Sequence, residues 1–157
     1  MRLFEVLNTA IQYKQPDPND AAQIVELKTQ LYAQNGDSMP KPPDQKTEYK
    51  YIDVLTSNNN YYKIAILNDN IIGYCSMKEY KPTKGIFGIG ILNKYVGQGI
   101  GKTFMADLIS HAKSHGYSII NCYVDKNNKS AIALYNKFGF TVTGSDGNDH
   151  IMERPIR

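Results

Sequence analysis

Asn128-Lys-Ser-Ala-Ile-Ala-Leu-Tyr-Asn-Lys-Phe-Gly-Phe140 reads as a short capped helix. The Asn128 side chain can accept a first-turn N–H. Ala131, Leu134, Tyr135 and Phe138 recur at helical spacing on one face, and Gly139 supplies a left-handed stop. Apolar runs flank the helix: Ser118–Val124 before it, Phe140–Thr143 after it. Further upstream, Ile86–Leu92 reads as a strand, and Ile100, Phe104, Met105, Leu108, Ile109 and Ala112 share a helical face that closes at Gly116. A strand, a helix and a second strand joined this way predict a parallel pair with a right-handed crossover.

The rest of the chain extends that unit in both directions. Ile11–Gln15 is a short strand, and Asp17-Pro-Asn-Asp20 starts a helix with Asn19 or Asp20 as N-cap. Ile24, Val25, Leu27, Leu31 and Tyr32 give that helix its apolar face, closed by Asn35-Gly36, and a second helix is expected over Gln45–Leu55. Tyr61–Leu67 and Ile71–Lys78 form a hairpin about Asn68-Asp-Asn70. Pro82–Gly85 turns into Ile86–Leu92, and Gly144-Ser-Asp-Gly147 turns into a last strand, His150–Arg154. The expected fold is mixed α/β (α+β): a six- to seven-stranded mixed sheet with helices on both faces. The order is strand, two helices, three strands, helix, strand, helix and two strands. Residues 1–157 read as one domain, with 1–10 as an N-terminal extension.

Composition narrows the class. The 157 residues suit a single core that buries roughly 70% of the unfolded surface, so no staple is required. A net charge of +3 is too small to argue for nucleic acid. Cys75 and Cys122 each sit in an apolar run and read as buried thiols, consistent with a cytoplasmic chain. No run is long and apolar enough to span a membrane, and Met1–Ile11, interrupted by Glu5 and Asn8, does not read as a signal peptide.

The segment between Ile86–Leu92 and its following helix carries the chemistry: Val96-Gly-Gln-Gly-Ile-Gly-Lys-Thr103. Gly97, Gly99 and Gly101 allow backbone N–H groups to face one concavity, and the helix start adds partial positive charge. That combination suits phosphate or pyrophosphate. Two designs compete for it. Gly99-Ile-Gly-Lys-Thr103 resembles the end of a P-loop, with Asp125 after Ser118–Val124 as a magnesium ligand. However, Val96 replaces the first P-loop glycine, and only about a third of the chain follows Thr103.

The other design is that of the GNAT superfamily of N-acetyltransferases, which the chain resembles from about Tyr61 to Ile156. Gly99 and Gly101 fit the superfamily's [RQ]-x-x-G-x-[GA] signature, although Val96 stands where Arg or Gln is expected. Asn128–Phe140 matches N-x-x-A-x-x-L-Y-x-K-x-G-F at all seven specified positions.

The resemblance implies that an amine attacks the thioester of acetyl-CoA directly. The pantetheine arm would lie between the fourth and fifth strands, along the backbone of Ile89 and Ile91. The pyrophosphate would sit on Val96, Gly97, Gln98, Gly99, Ile100 and Gly101, with Lys102 and Thr103 at the helix start. Asn128 would contact the cofactor or act as a cap, and Tyr135 would protonate the departing thiolate. No metal is implied.

The fourth strand lacks the acid that often serves as base in this superfamily, which leaves Glu79, Tyr80, Asp125, His150 and Glu153 as candidates. An acceptor pocket is expected between Tyr32–Tyr51 and Tyr80–Lys84, with Tyr49, Tyr51, Tyr61 and Tyr62 available for stacking on an aromatic or cationic amine. The partners implied are acetyl-CoA and an amine acceptor, either a small molecule or a peptide, with no nucleic acid and no membrane. Homodimers are common in the superfamily, often through the C-terminal strands. The absent Arg/Gln and acid also admit a second reading, a non-catalytic acyl-CoA sensor on the same fold.

Overall fold

Asn68 and Asp69 are both left-handed, with φ of 51° and 63°, the geometry of a two-residue hairpin turn. In the computed structural model, which describes residues 10–157, this turn joins β2 (Tyr61–Leu67) to β3 (Asn70–Lys81). A second tight turn at Pro82-Thr83 leads into β4 (Lys84–Ile91). The remaining strands are β1 (Gln12–Lys14), β5 (Ile119–Asp125), β6 (Thr141–Asp146) and β7 (Asp149–Pro155). The helices are α1 (Ala21–Asn35), α2 (Gln45–Leu55), α3 (Ile100–Ser114) and α4 (Lys129–Lys137). The expected N-terminal extension falls almost wholly on residues 1–9, which lie outside the described residues.

The strands form one sheet in the order β1-β2-β3-β4-β5-β7-β6. Among the described residues only β4 and β5 run parallel, and the other neighbours are antiparallel. A triphosphate-binding P-loop opens from a largely parallel sheet, so this topology removes the P-loop reading. One face carries α3 and α4 over Phe87, Cys122 and Phe140. The other carries α1 and α2 over Tyr62, Ile64 and Tyr74. A β-bulge at Ile72, the extra residue between the Ala65–Gly73 and Ile66–Ile71 pairs, shifts the alternation, so that Ile72 joins Cys75 and Met77 in one core and Ile71 joins Tyr74 in the other. Cys75 and Cys122 are both buried as free thiols. No helix among the described residues is long and apolar enough to cross a membrane.

Two local expectations are corrected. Asp20 stands at the N-cap position of α1 but its side chain caps nothing in that helix; the side-chain cap belongs to Asp17, at the 3₁₀ turn before it. Its carboxylate accepts the Asn19 N–H at 2.8 Å, and the Asp20 carboxylate returns to the Asp17 N–H at 2.8 Å. Pro18 then begins a single 3₁₀ turn that leads into α1. At the other end of the chain, Gly144-Ser-Asp belongs to β6 and not to the turn. Gly144 pairs with Ile151, and the turn is Gly147-Asn148 with Gly147 at φ 56°.

His111 ties α3 to the β2 approach: its Nε2 lies 2.7 Å from the Asn59 carbonyl oxygen. Its ring stacks on His115 with centroids 3.9 Å apart and packs beside Tyr61. Burial, followed by the neighbouring His115, holds its pKa below the usual 6.5. The unfolded chain therefore takes up this proton first as pH falls through about 6.5. Stability should be fully present above that pH and decline below it. Denaturant melts at pH 7.5 and 5.5 should show the decline, and His111→Gln should flatten it; an identical slope in the variant would remove His111 as the cause.

Candidate functional site

Pairing between β4 and β5 is confined to Lys84–Ile86 against Ile119–Asn121. Beyond Ile86 the two strands diverge, so one edge of β4 is left without a neighbour. The direction of its backbone follows from two hydrogen bonds. The Leu92 N–H donates to the Ile72 carbonyl at 3.1 Å, which turns the even-numbered residues of β4 toward β3. The Ser118 N–H donates to the Thr83 carbonyl at 2.7 Å, which turns the odd-numbered set toward β5. The main-chain groups of Ile89 and Ile91 therefore face the gap.

A cleft of about 1060 Å³ fills that gap. Ile89, Ile91, Val96, Gly97, Gly99 and Ile100 line it, as do Gly101, Lys102, Asn128 and Tyr135. Gln98 and Thr103 do not: the Thr103 hydroxyl is turned back onto the Gly99 carbonyl at 3.1 Å. Gly97 and Gly99 are left-handed, at φ 89° and 85°, with open space where a Cβ would stand. Gly101 has a different reason to be glycine. A Cβ there would come within 2.9 Å of Leu134, so it lets α3 and α4 pack closely. The first helical N–H to find a carbonyl is Thr103, onto Gly99 at 3.1 Å. Those of Ile100, Gly101 and Lys102 have no intrahelical acceptor, and no side chain caps the helix. Lys102 and Lys137 add cationic side chains to the cleft.

Asn128 acts as the helix cap, its Oδ1 accepting the Ala131 N–H at 3.2 Å. Tyr135 lies one face further along α4, held edge-on by Phe87 at 5.5 Å and tilted against Phe140 at 6.0 Å. Burial raises its pKa well above the usual phenol value, with Cys122 and Tyr74 adding to the effect. Its hydroxyl has no protein partner among the described residues, where no sealed side-chain polar atom is left unbonded. The hydroxyl therefore opens onto the cleft.

Of the five base candidates, the structure brings only Asp125 to the cleft, and its Oδ1 accepts the Asn127 N–H at 2.8 Å. Glu79 is engaged near Asn59 and Asn60. The Tyr80 hydroxyl accepts from Asn121 at 2.8 Å. His150 and Glu153 lie on β7, away from the cleft.

Sequence reasoning missed Asn93 and Tyr95 and did not single out Gln34 and Met39 within the Tyr32–Tyr51 stretch; α1 and the following loops bring all four to the rim. The Asn93 N–H donates to Gln34 Oε1 at 3.0 Å, a link across 59 positions that leaves no local pattern. A second cavity of about 350 Å³ adjoins the first at Met39. It takes Met39, Pro40, Lys41, Pro43 and Tyr51 from the expected Tyr32–Tyr51 stretch but none of Tyr80–Lys84, because those residues lie at the far end of the β3–β4 hairpin. Tyr62 is buried in the core, Tyr61 packs on His111, and Tyr49 is exposed outside the cavity.

The model of the family described as acetyltransferase (GNAT) family matches residues 26–140. The N-alpha-acetyltransferase RimI of Mycobacterium tuberculosis is 29% identical over 129 residues, which are 80% of this chain and 75% of that protein. The mycothiol acetyltransferase of Corynebacterium glutamicum is 32% identical over 78 residues, 49% of this chain; the match spans about a quarter (27%) of that longer protein. Among solved structures, the PaiA N-acetyltransferase of Thermoplasma acidophilum in complex with coenzyme A superposes with a TM-score of 0.80 at 21% identity, covering 94% of this chain and 99% of that one.

Proposed function

Because the chain belongs to the GNAT acetyltransferase family, we propose that it transfers the acetyl group of acetyl-CoA to a primary amine of a small molecule or peptide. The observation that carries this is the divergence of β4 from β5 directly below the glycine turn. It gives one extended ligand a free strand edge, an anion cradle and a phenol in sequence. The cleft residues fit acetyl-CoA in each part. The N–H groups of Ile100, Gly101 and Lys102 hold the diphosphate, assisted by the helix start and by Lys102 and Lys137. The exposed edge at Ile89 and Ile91 hydrogen-bonds the amide-bearing arm as a neighbouring strand would. A main-chain N–H at that edge also stabilises charge developing on the thioester oxygen, an effect of about 3–4 kcal/mol where it has been removed elsewhere. Tyr135 stays protonated at working pH and delivers its proton to the departing sulfur. Val96 supplies no side-chain grip on the phosphates, so the backbone carries that task.

The direct test measures thiol release from acetyl-CoA over a panel of amines and peptide N-termini, with calorimetric binding of CoA alongside. Acceptor-dependent release is expected. Tight CoA binding with no release to any acceptor would instead mark an acyl-CoA sensor. Gly99→Val tests the cradle separately. A β-branched residue forced to φ 85° costs about 1–2 kcal/mol. The free turn can relax this strain and binding must restore the cradle, so the Kd for CoA should rise about tenfold; an unchanged Kd would exclude the turn from phosphate binding.

A further inference from the structure

The second cavity lies on the α1/α2 face of β3 and β4. Three cross-strand pairs pave that face: Tyr74–Gly90, Ser76–Gly88 and Lys78–Ile86. Gly90 stands at the cleft end. A Cβ there would meet Leu31 and Tyr74 at 2.7 Å, so α1 presses directly on the strand. At Gly88 a Cβ would meet nothing within 4 Å. The covering elements lift off the sheet between these two glycines, and the space they leave runs outward from the cleft toward Lys78.

The charges in that space are of one sign. Lys28, Lys41 and Lys78 line it and no carboxylate does. The Lys28 charge is already met by Glu48, at 2.6 Å beneath the floor. Lys41 and Lys78 are exposed and form no ion pair among the described residues. Tyr51, Pro43 and Leu55 give the walls between them an apolar surface. Lys78 sits opposite Ile86, four residues from the cleft end at Gly90, or about 13 Å along the strand.

We propose that this cavity holds the acceptor, and that the acceptor is a compact amine with an apolar middle and an anionic group at the end remote from the amine. This assignment rests on the acetyl-transfer reading above. The amine end enters the cleft at Met39, which lines both cavities, the apolar part lies over Gly88, and Lys41 and Lys78 meet the anion. A polyamine would place its distal cation against two lysines, a like-charge arrangement that is disfavoured.

Matched acceptors test the assignment. Tyramine is compared with 4-(2-aminoethyl)benzoate and tyramine O-phosphate, and hexylamine with 6-aminohexanoate; spermidine is the polycation. At saturating acetyl-CoA, at least one anionic acceptor should exceed its neutral counterpart at least tenfold in kcat/KM, mainly through KM. The benzoate and phosphate arms separate a carboxylate site from a phosphate site. In the Lys41→Gln/Lys78→Gln variant, whose changes are both on exposed side chains, that advantage should fall below threefold, with an unaltered melting temperature. Transfer without anionic preference, preference for spermidine, or a preference that survives the double variant would each overturn the acceptor class while leaving acetyl transfer standing. Absence of transfer to every amine, with CoA bound, would overturn the acetyl-transfer reading and the acceptor class with it.

Discussion

Tyr135→Phe should lower kcat by at least tenfold, and by as much as about 10²–10⁴ if proton delivery to the sulfur limits turnover. The Kd for acetyl-CoA should change less than threefold. The substitution removes one oxygen and leaves the ring against Phe87 and Phe140, so packing is retained. The hydroxyl has no protein partner to lose among the described residues, so little stability is at stake. A phenol is already protonated at neutral pH and burial raises its pKa further, consistent with the proposed role as a proton donor. Single-turnover rates with saturating acetyl-CoA and acceptor isolate the step. A variant with unchanged kcat would reduce Tyr135 to a packing residue.

Glu48→Ala should destabilise the fold by about 3–5 kcal/mol. Glu48 is fully buried and bonds Lys28 at 2.6 Å and the Tyr62 hydroxyl at 2.9 Å. The Lys28 ammonium lies over the rings of Tyr51, Tyr62 and Tyr74, at 5.6, 5.3 and 4.9 Å from their centroids. Burial already lowers the Lys28 pKa, an effect that Glu48 opposes. Removing the carboxylate leaves an ammonium with no counterion and a phenol with no acceptor, both between α1, α2 and the sheet. Urea melts should show the loss, and Lys28→Met with Glu48→Leu and Tyr62→Phe should recover most of it, because this removes both charges with their desolvation cost and the orphaned hydroxyl as well. A loss under 1 kcal/mol for Glu48→Ala would mean that water reaches Lys28 and replaces its partner.

The parts of the fold legible in the sequence are those encoded by neighbours. Asn128 announces its cap within three residues, and Asn68-Asp69 specifies a hairpin through two residues that tolerate positive φ. The Gln45–Leu55 helix was expected with the bounds observed. Features that depend on two distant elements were not legible. Glu48 and Lys28 each sit at a position that reads as a polar helix face, and only the packing of α1 on α2 makes them a buried pair. Gly101 reads as a third loop glycine, whereas its role is set by Leu134 on another helix. The five base candidates are acids and polar groups near strand ends, but strand ends lie on opposite edges of an antiparallel sheet, and only Asp125 reaches the cleft. The second cavity has no local signature, since it arises from the spacing between a helix layer and the strand under Gly88.

The short β4–β5 contact divides the strand ladder into two blocks joined at a narrow isthmus, with one hydrophobic core running beneath both. β1 to β4 with α1 and α2 form one block; β5, β6 and β7 form the other, with α3 and α4 across the seam. A ligand lying along the open edge occupies the place of the missing strand pairs and bridges both blocks. Binding free energy is thereby linked to the rigidity of the whole sheet, since opening the isthmus releases the ligand. On the acetyl-transfer reading proposed above, the melting temperature should therefore rise with donor concentration.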